Sequence, residues 1–429
     1  MLISFRVKNF RSIVDATMDM SYAEGKAPNG YKEMETIPFL EAGTPKRERV
    51  VPCLALYGPN ASGKTNLIRA MHGLEDFLLN GVQRTFLKNR LHPELKNTCF
   101  DICFEVENNK YQYTVCYSNL AVEEESLRVG NDLLFSIKKA EVDFKRLSTD
   151  FYSEDKLKDI LKVECSDGVG TQVRSFFGKL GRNYAGLNKK LASAWLFFED
   201  YLEIYPSNEF PTGLGIDALA AALNAEETPQ VAFDKIEKVI KTLDLGIKRM
   251  TFDRKKAEKD ELGRYRVKGL PTSHRIDRKG EVKFFEYLNS VHEDAEGNEV
   301  IFNFAEESDG TQAAFGIIGI LLSALEQGKV VVIDELDRSL HSLVFREIVR
   351  IFKDKRYNKK NAQLIFTAHN LDLLDSEILR VSEIGIVEKT IKHGTVLRRL
   401  SDFDGVRNVT NFRHQYLNGS FSGIPFPYI

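Results

Sequence analysis

The stretch CLALYGPNASGKTNLIRAM, residues 53–71, decides the fold of this chain. The apolar run 53–57 predicts a buried strand, and apolar residues recur at helical spacing after position 66. A phosphate-binding pattern, G-x-x-x-x-G-K-[ST], is matched between them by Gly58, Gly63, Lys64 and Thr65. Strand, glycine-rich turn and helix is the order in which backbone N–H groups and a helix N-terminus can face phosphates.

This loop predicts an ATP site that uses Mg²⁺. Lys64 is expected to reach the β- and γ-phosphates, and the Thr65 hydroxyl is expected to ligate the metal ion. The predicted ATP-binding residues form one continuous run: Gly58, Pro59, Asn60, Ala61, Ser62, Gly63, Lys64, Thr65 and Asn66.

A second motif lies at 330–335, where an apolar strand ends in Asp334 and Glu335. Side chains at the carboxyl ends of parallel strands face bound ligands. Asp334 is predicted to hold Mg²⁺ through water, and Glu335 to polarise the attacking water as the catalytic base. Acidic residues often end strands, so this assignment depends on the phosphate-binding loop in the same chain.

Two further candidates come from the same half of the chain. His369 follows the next predicted strand, 364–368, and could donate a hydrogen bond to a γ-phosphate, although a lone histidine is more often structural. Ser308 and Gly310 precede an apolar helix, 313–325, and could present a hydroxyl and a helix N-terminus to an anion. The alternative is a simple helix cap by Ser308 or Asp309.

Composition excludes several classes of protein. The chain has 429 residues with 60 Lys and Arg against 62 Asp and Glu, so any contact with nucleic acid or a membrane must come from a local patch. The most apolar run, 313–325, is shorter than the ~20 residues of a membrane-spanning helix. The five cysteines form no C-x-x-C pair, which predicts free thiols in a reducing cytoplasm and no zinc site.

The remaining patterns predict the following organisation. Alternating residues predict strands at 1–8 and 13–20, whereas 21–50 is expected to be a loop with little regular structure. A hairpin is predicted over 98–117, and 120–137 is expected to extend its sheet. From about 140 to 245 the pattern is helical and broken by glycine and proline. A terminal β-ribbon is predicted at 382–387 and 395–399.

A basic segment spans 246–283, with 13 Lys and Arg against 6 Asp and Glu. It is either a solvated hairpin or a contact surface for nucleic acid or an acidic partner.

In their order along the chain, these motifs resemble an ABC-type ATPase head, and within that class the SMC and RecF group. The segments that carry the resemblance to that group are Asn9-Phe10-Arg11-Ser12, Gly58-Pro59-Asn60 and Asn66. The ending with Arg413, Tyr416-Leu417 and Gly419 resembles a subgroup of stand-alone ATPases. Residues 307–311 match the Glu-Ser-x-Gly-Thr signature of stand-alone ATPases. Such ATPases occur in anti-phage defence systems, for example AriA of the PARIS system, and as the heads of OLD-family nucleases.

The resemblance covers roughly 1–120 and 295–425. It implies an α/β fold: an ABC-type P-loop head with a mixed core sheet and an antiparallel β-subdomain, plus a mainly helical inserted lobe. The implied domains are 1–120 and 301–429 for the two halves of the head and 121–300 for the lobe. Ser308 and Gly310 would then act in trans on the ATP of a partner protomer, and 336–341 would be the D-loop crossing a dimer interface.

The sequence also departs from the group. Ala61 stands where glycine is frequent, and no Q-loop glutamine can be placed. Glu307 and Asp309 replace the leucine and first glycine of the transporter signature, which argues against a transporter subunit. No acidic Toprim-like nuclease domain follows the head, so a complete OLD nuclease is not expected.

Three functions compete on these grounds. The first is an ATPase, hydrolysing ATP to ADP and phosphate, that forms a homodimer or an assembly of dimers. It would act as the sensor and switch of a defence system, triggered by nucleic acid or a phage protein and coupled to a separate nuclease or toxin. The second is a RecF-like DNA repair ATPase. The third, a scaffold that binds ATP without turnover, is disfavoured by Glu335.

Overall fold

The computed structural model describes residues 1–22, 37–40, 47–81, 86–138, 141–148, 152–164, 173–206, 246–256, 258–259, 265–266, 284–390, 392–406 and 411–424. The chain forms two compact units. The first consists of Met1–Phe210, Ala324–Arg338 and Phe345–Ile429, and the second of Pro211–Ser323 and Ser339–Val344. Residues 207–245 of the predicted helical lobe and most of the basic segment lie outside the described residues.

The strands, in chain order, are β1 Leu2–Phe10, β2 Ile13–Asp19, β3 Ile37–Leu40, β4 Arg47–Val50, β5 Cys53–Tyr57, β6 Thr98–Val106, β7 Asn109–Tyr117, β8 Val122–Val129, β9 Asp132–Lys138, β10 Glu141–Asp143, β11 Leu202–Tyr205, β12 Arg249–Lys256, β13 Glu258–Lys259, β14 Tyr265–Arg266, β15 Phe284–Glu293, β16 Glu299–Asn303, β17 Val330–Ile333, β18 Gln363–Thr367, β19 Ile384–Thr390 and β20 Gly394–Arg399. The α-helices are α1 Lys64–Asn80, α2 Glu154–Glu164, α3 Phe176–Tyr184, α4 Lys189–Leu196, α5 Asp309–Gln327, α6 Ser342–Lys353 and α7 Phe412–Leu417.

One 13-stranded sheet dominates the first unit, in the order β10-β9-β8-β7-β6-β1-β2-β20-β19-β5-β18-β17-β11. The five strands from β19 to β11 pair in parallel, and the strands from β10 to β19 pair antiparallel. This is a mixed core sheet continued by an antiparallel region, as predicted for an ABC-type head, so the fold class is confirmed.

The parallel strands that lead to the motifs are apolar because both of their faces are covered. Every residue of β5, β17 and β18 is buried, which is typical of strands at the centre of an α/β sheet. α1 buries Leu67, Leu74 and Phe77 at helical spacing, and the Phe77 ring stacks on Tyr117 of β7 with centroids 4.2 Å apart. The turn between β5 and α1 is therefore held by a strand and a helix that are both packed into the core.

The predicted domain boundary at 120 lies within the antiparallel region of the large sheet. That position lies between β7 and β8, which are neighbouring hydrogen-bonded strands of the large sheet. Strands β8 and β9 extend the sheet as predicted, and α2, α3, α4 and β11 also belong to the first unit, which continues to Phe210. The head half of the chain is thus longer than the motifs alone suggest.

Two sequence-based predictions were wrong. Residues 21–50 are not irregular throughout, because β3 and β4 pair antiparallel. The cysteines are not all free: Cys99 and Cys116 lie directly opposite each other on β6 and β7, with Cα atoms 4.1 Å apart, and form a disulfide. Antiparallel pairing brings opposite Cα atoms this close, and only the hairpin register reveals it. The inference of a reducing cytoplasm, which depended on free thiols, therefore loses its basis.

The second unit contains a three-stranded antiparallel sheet in the order β12-β15-β16 and the short pair β13-β14. A turn at Phe304–Glu306 leads from β16 to the start of α5. No helix among the described residues has both the length and the apolar character needed to cross a membrane.

Candidate active site

The phosphate-binding loop connects the carboxyl end of β5 to the N-terminus of α1. Gly63, which caps α1, has φ 108°, and a Cβ atom there would lie 2.0 Å from the Thr395 hydroxyl oxygen, so only glycine fits. Ala61 also adopts a left-handed conformation, with φ 63°. For a residue with a side chain this costs about 1–2 kcal/mol, which explains why glycine is frequent at this position in similar loops.

Lys64 is the first residue of α1, and its side chain folds back onto the loop. Its Nζ donates hydrogen bonds to the carbonyl oxygens of Gly58 at 2.6 Å and Pro59 at 3.3 Å. Burial lowers the pKa of the Lys64 ammonium, while Asp334 and Glu335 act in the opposite direction. The cation is therefore buried close to the carboxylate predicted to hold Mg²⁺ and the carboxylate predicted to act as the base.

Thr367, at the end of β18, connects the two acidic residues. Its hydroxyl donates to Asp334 Oδ1 at 2.5 Å and accepts from the backbone N–H of Glu335 at 2.7 Å. The adjacency follows from the parallel register, in which Ile333 of β17 pairs with Phe366 of β18. One hydroxyl thus fixes both the carboxylate of Asp334 and the backbone from which the Glu335 side chain projects.

The second carboxylate oxygen of Asp334 fits a metal site. Asp334 is only 3% exposed, and its buried Oδ2 has no hydrogen-bond partner among the residues that the structure describes. A buried carboxylate oxygen without a partner is energetically costly, and Mg²⁺ is usually bound by one or two carboxylates together with water and phosphate oxygens. Asp334 and Thr65 therefore suit the predicted Mg²⁺, which would supply positive charge to the phosphates when bound.

Glu335 has an unusual backbone conformation, with φ 55°. A non-glycine residue in this region costs of order 1–3 kcal/mol, and such residues concentrate at functional sites. Its side chain is 31% exposed and lies 3.6 Å from the guanidinium of Arg338. A partly exposed carboxylate at the end of a buried strand can reach a water molecule, which the role of a catalytic base requires.

His369 is placed by Asp337 from the predicted D-loop. Asp337 Oδ2 accepts hydrogen bonds from the backbone N–H groups of His369 at 2.7 Å and Asn370 at 2.6 Å. The His369 side chain is exposed. These two hydrogen bonds connect the segment after β17 to the segment after β18, so the start of the predicted D-loop lies beside His369. Sequence reasoning did not single out Asp337.

Most of the predicted site residues line one cavity of about 440 Å³. They are Pro59, Asn60, Ala61, Ser62, Gly63, Lys64, Thr65, Asn66, Asp334, Glu335 and His369. Gly58 lies at its edge as the carbonyl partner of Lys64. The cavity also includes Ser12, Arg69, Thr367 and Lys389, which carried no assigned role in the sequence analysis. The roles of the lining residues remain predictions.

Ser12 belongs to a hydrogen-bonded network that contacts the phosphate-binding loop and the start of α1. Its hydroxyl lies 2.7 Å from that of Thr395 and accepts from Asn66 Nδ2 at 2.7 Å. The Thr395 hydroxyl also donates to the carbonyl of Ser62 at 3.0 Å. The motif at 9–12 could have indicated Ser12, but nothing local distinguishes Thr395, which is remote in sequence.

The signature residues Ser308 and Gly310 belong to the second unit. The Ser308 hydroxyl accepts from the backbone N–H of Thr311 at 3.1 Å and lies 2.9 Å from the Thr311 hydroxyl. Ser308 therefore caps α5, the simpler of the two interpretations. Both residues are exposed, so the cap leaves the serine hydroxyl and the helix N-terminus accessible to an anion.

A family model described as "AAA domain, putative AbiEii toxin, Type IV TA system" matches residues 53–375. The chain belongs to this AAA family. The match includes the loop, the signature, the Asp-Glu strand and His369, and together with the fold it makes the protein a P-loop ATPase.

One solved structure gives a remote likeness. The SMC head domain from Thermotoga maritima superposes with a TM-score of 0.40 at 13% identity, over 93% of this chain and 98% of that one. A likeness at that level carries no argument, and the ABC-type assignment rests on the strand order and the placement of the motifs. No curated protein matches the chain significantly.

Proposed function

We propose that the protein hydrolyses ATP at sites shared between two copies of the chain, and that it serves as the sensor and switch subunit of an anti-phage defence system. The observation that carries the ATPase part is that Lys64 and the rest of the phosphate-binding loop line one cavity together with Asp334 and Glu335. The finer assignment to the Glu-Ser-x-Gly-Thr group, with AriA and the OLD heads as examples, rests on the signature at 307–311.

The chemistry follows from the positions of these groups. Lys64 and the loop N–H groups would bind the phosphates, and Thr65 and Asp334 would hold Mg²⁺. Glu335 would accept a proton from the attacking water, and His369 would donate to the γ-phosphate. Hydrolysis therefore needs no residue outside the cavity except a group that closes the open side of the γ-phosphate.

Ser308 and Gly310 suit that closing role in trans. Their exposed position at the N-terminus of α5 offers a hydroxyl and a helix dipole to an anion. A symmetric dimer would then contain two ATP sites, each formed by the loop of one protomer and the signature of the other.

Mixing two inactive variants tests this arrangement. Lys64→Ala and Ser308→Arg homodimers each carry two defective sites and should be inactive. In the mixed dimer both lesions fall in one site, and the other site is intact. Half of randomly exchanged dimers are mixed, so ATPase turnover should return to about a quarter of the wild-type value if the two sites act independently.

The matched control combines Lys64→Ala with Glu335→Gln. Both lesions affect the site of their own protomer, so the mixed dimer should stay inactive. ATP-dependent dimerisation is measured alongside by mass photometry, because strict cooperativity between sites would lower the recovery. Wild-type turnover by Ser308→Arg alone, or a monomeric ATP-bound Glu335→Gln, would show that the site is not shared.

The defence role has one support. The family description names a putative toxin of a type IV toxin–antitoxin system, and a toxin–antitoxin system consists of two components. In this proposal the chain is the ATP-dependent component, and nuclease or toxin chemistry is assigned to a separate effector.

We therefore expect the chain expressed alone to be non-toxic and to cleave neither DNA nor RNA. Co-expression with the product of an adjacent gene should protect cells from phage, and Lys64→Ala should abolish that protection. Toxicity of the chain alone would contradict the proposal. Tight DNA binding with a steep dependence on salt, without any protection from phage, would favour the RecF-like repair ATPase instead.

A further inference from the structure

Glu307, the residue before Ser308, is anchored to the middle strand of the second unit's sheet. Its Oε1 accepts a hydrogen bond from the hydroxyl of Ser290 and lies 2.6 Å from Nε2 of His292. Because a carboxylate only accepts, the imidazole Nε2–H is the donor. Only 13% of the Glu307 side chain and 25% of the His292 side chain are exposed, so water competes little for these contacts.

The backbone around Glu307 is fixed from the other side. Nε2 of Gln312, in the first turn of α5, donates to the carbonyl of Glu307 at 2.8 Å and to that of Ala305 at 3.3 Å. Phe304 is buried, and its ring lies 4.9 Å from that of Phe315. The turn is thus held by a polar anchor on β15 and by contacts with α5, with the exposed Ser308 immediately after it.

We infer that Glu307, His292 and Ser290 are positioning residues that hold Ser308 where it can contact the ATP of a partner protomer. This inference rests on the proposed shared site. Glu307 points inward to β15 while Ser308 points outward, so the anchor decides the direction in which the serine hydroxyl projects. A displacement of about 1 Å in such a contact can reduce turnover on the order of 10²-fold.

The anchor also connects the signature to the rest of its unit. In the sheet register Ser290 pairs with Met250 of β12, and His292 pairs with Val300 of β16. Both neighbouring strands therefore set the position of the two donors.

The test compares variants that remove the anchor with one that keeps it. In His292→Ala and Glu307→Ala we expect kcat to fall about 10- to 100-fold. Glu307→Gln keeps an acceptor oxygen of the same shape and should retain most of the activity. ATP binding by the monomer, measured with a fluorescent analogue, should be unchanged in all three, because the residues lining the ATP cavity belong to the first unit.

Mixed dimers separate positioning from a general structural role. If His292→Ala acts through Ser308, its lesion falls in the partner's site. Mixing it with Lys64→Ala should then restore turnover to about a quarter of wild type, as for Ser308→Arg. A lesion that damages the protomer's own site or its folding gives no recovery.

The outcomes distinguish this inference from the proposed function. Wild-type kcat in both His292→Ala and Glu307→Ala, with Ser308→Arg inactive, would overturn the inference alone. It would also be overturned if Ser308→Arg were rescued by Lys64→Ala and neither anchor variant were. Normal hydrolysis by Ser308→Arg itself would instead overturn the shared site on which the inference rests.

Discussion

Glu335→Gln is expected to lower the rate of ATP hydrolysis by about 10²- to 10⁴-fold, the usual contribution of a positioned general base, while ATP binding is retained. The reason is the placement of the carboxylate. Glu335 lies just after a fully buried strand, its backbone N–H is fixed by Thr367, and its side chain lines the ATP cavity. Glutamine has the same shape but cannot accept the proton of the attacking water.

Two further variants make this result specific. Lys64→Ala should weaken ATP binding itself, because the ammonium is predicted to contact the phosphates in the ground state as well as in the transition state. Glu347→Gln changes an exposed carboxylate of α6 that pairs with Arg350 at 2.8 Å, and it should leave turnover unchanged. Steady-state hydrolysis and nucleotide binding are measured for all three. Hydrolysis by Glu335→Gln at the wild-type rate would remove Glu335 from the role of base.

The sequence was sufficient for the parts of the site that are local. The loop at 58–63 is flanked by a strand and a helix whose apolar patterns are unambiguous, and the structure places β5 and α1 there. The strands that end before Asp334 and His369 were predicted to within two residues. Buried parallel strands are continuous apolar runs, so their ends, and the polar residues after them, are visible without a structure.

The parts that depend on pairing between distant segments were not predictable. The register of β17 against β18 gives Thr367 its two partners, and no spacing rule reports a register. Ser12 and Thr395 meet below the loop although they are 383 residues apart. The disulfide and the extent of the first unit likewise follow from sheet pairing. The hydrogen bond between Glu307 and His292 of β15 also depends on how separate segments pair, so the sequence does not predict it.

Thr367→Val should reduce kcat on the order of 10²-fold and raise the Mg²⁺ concentration needed for half-maximal turnover. Valine replaces the hydroxyl by a methyl group of similar size, so the packing is kept. The buried Asp334 then loses the hydrogen bond to Oδ1, while its Oδ2 has no partner within the described part of the chain. The Glu335 N–H loses its acceptor as well.

Thr367→Ser is the matched control, because it keeps the hydroxyl and should hydrolyse ATP at close to the wild-type rate. Loss of hydrogen bonds to buried polar groups costs about 1–3 kcal/mol, so Thr367→Val should also unfold at a lower temperature than Thr367→Ser, with or without nucleotide. The kinetic and thermal measurements are independent. If Thr367→Val retained both wild-type kcat and wild-type Mg²⁺ dependence, Thr367 would not position Asp334 and Glu335 for hydrolysis. If only its unfolding temperature fell, the hydroxyl would stabilise the sheet without contributing to the chemistry.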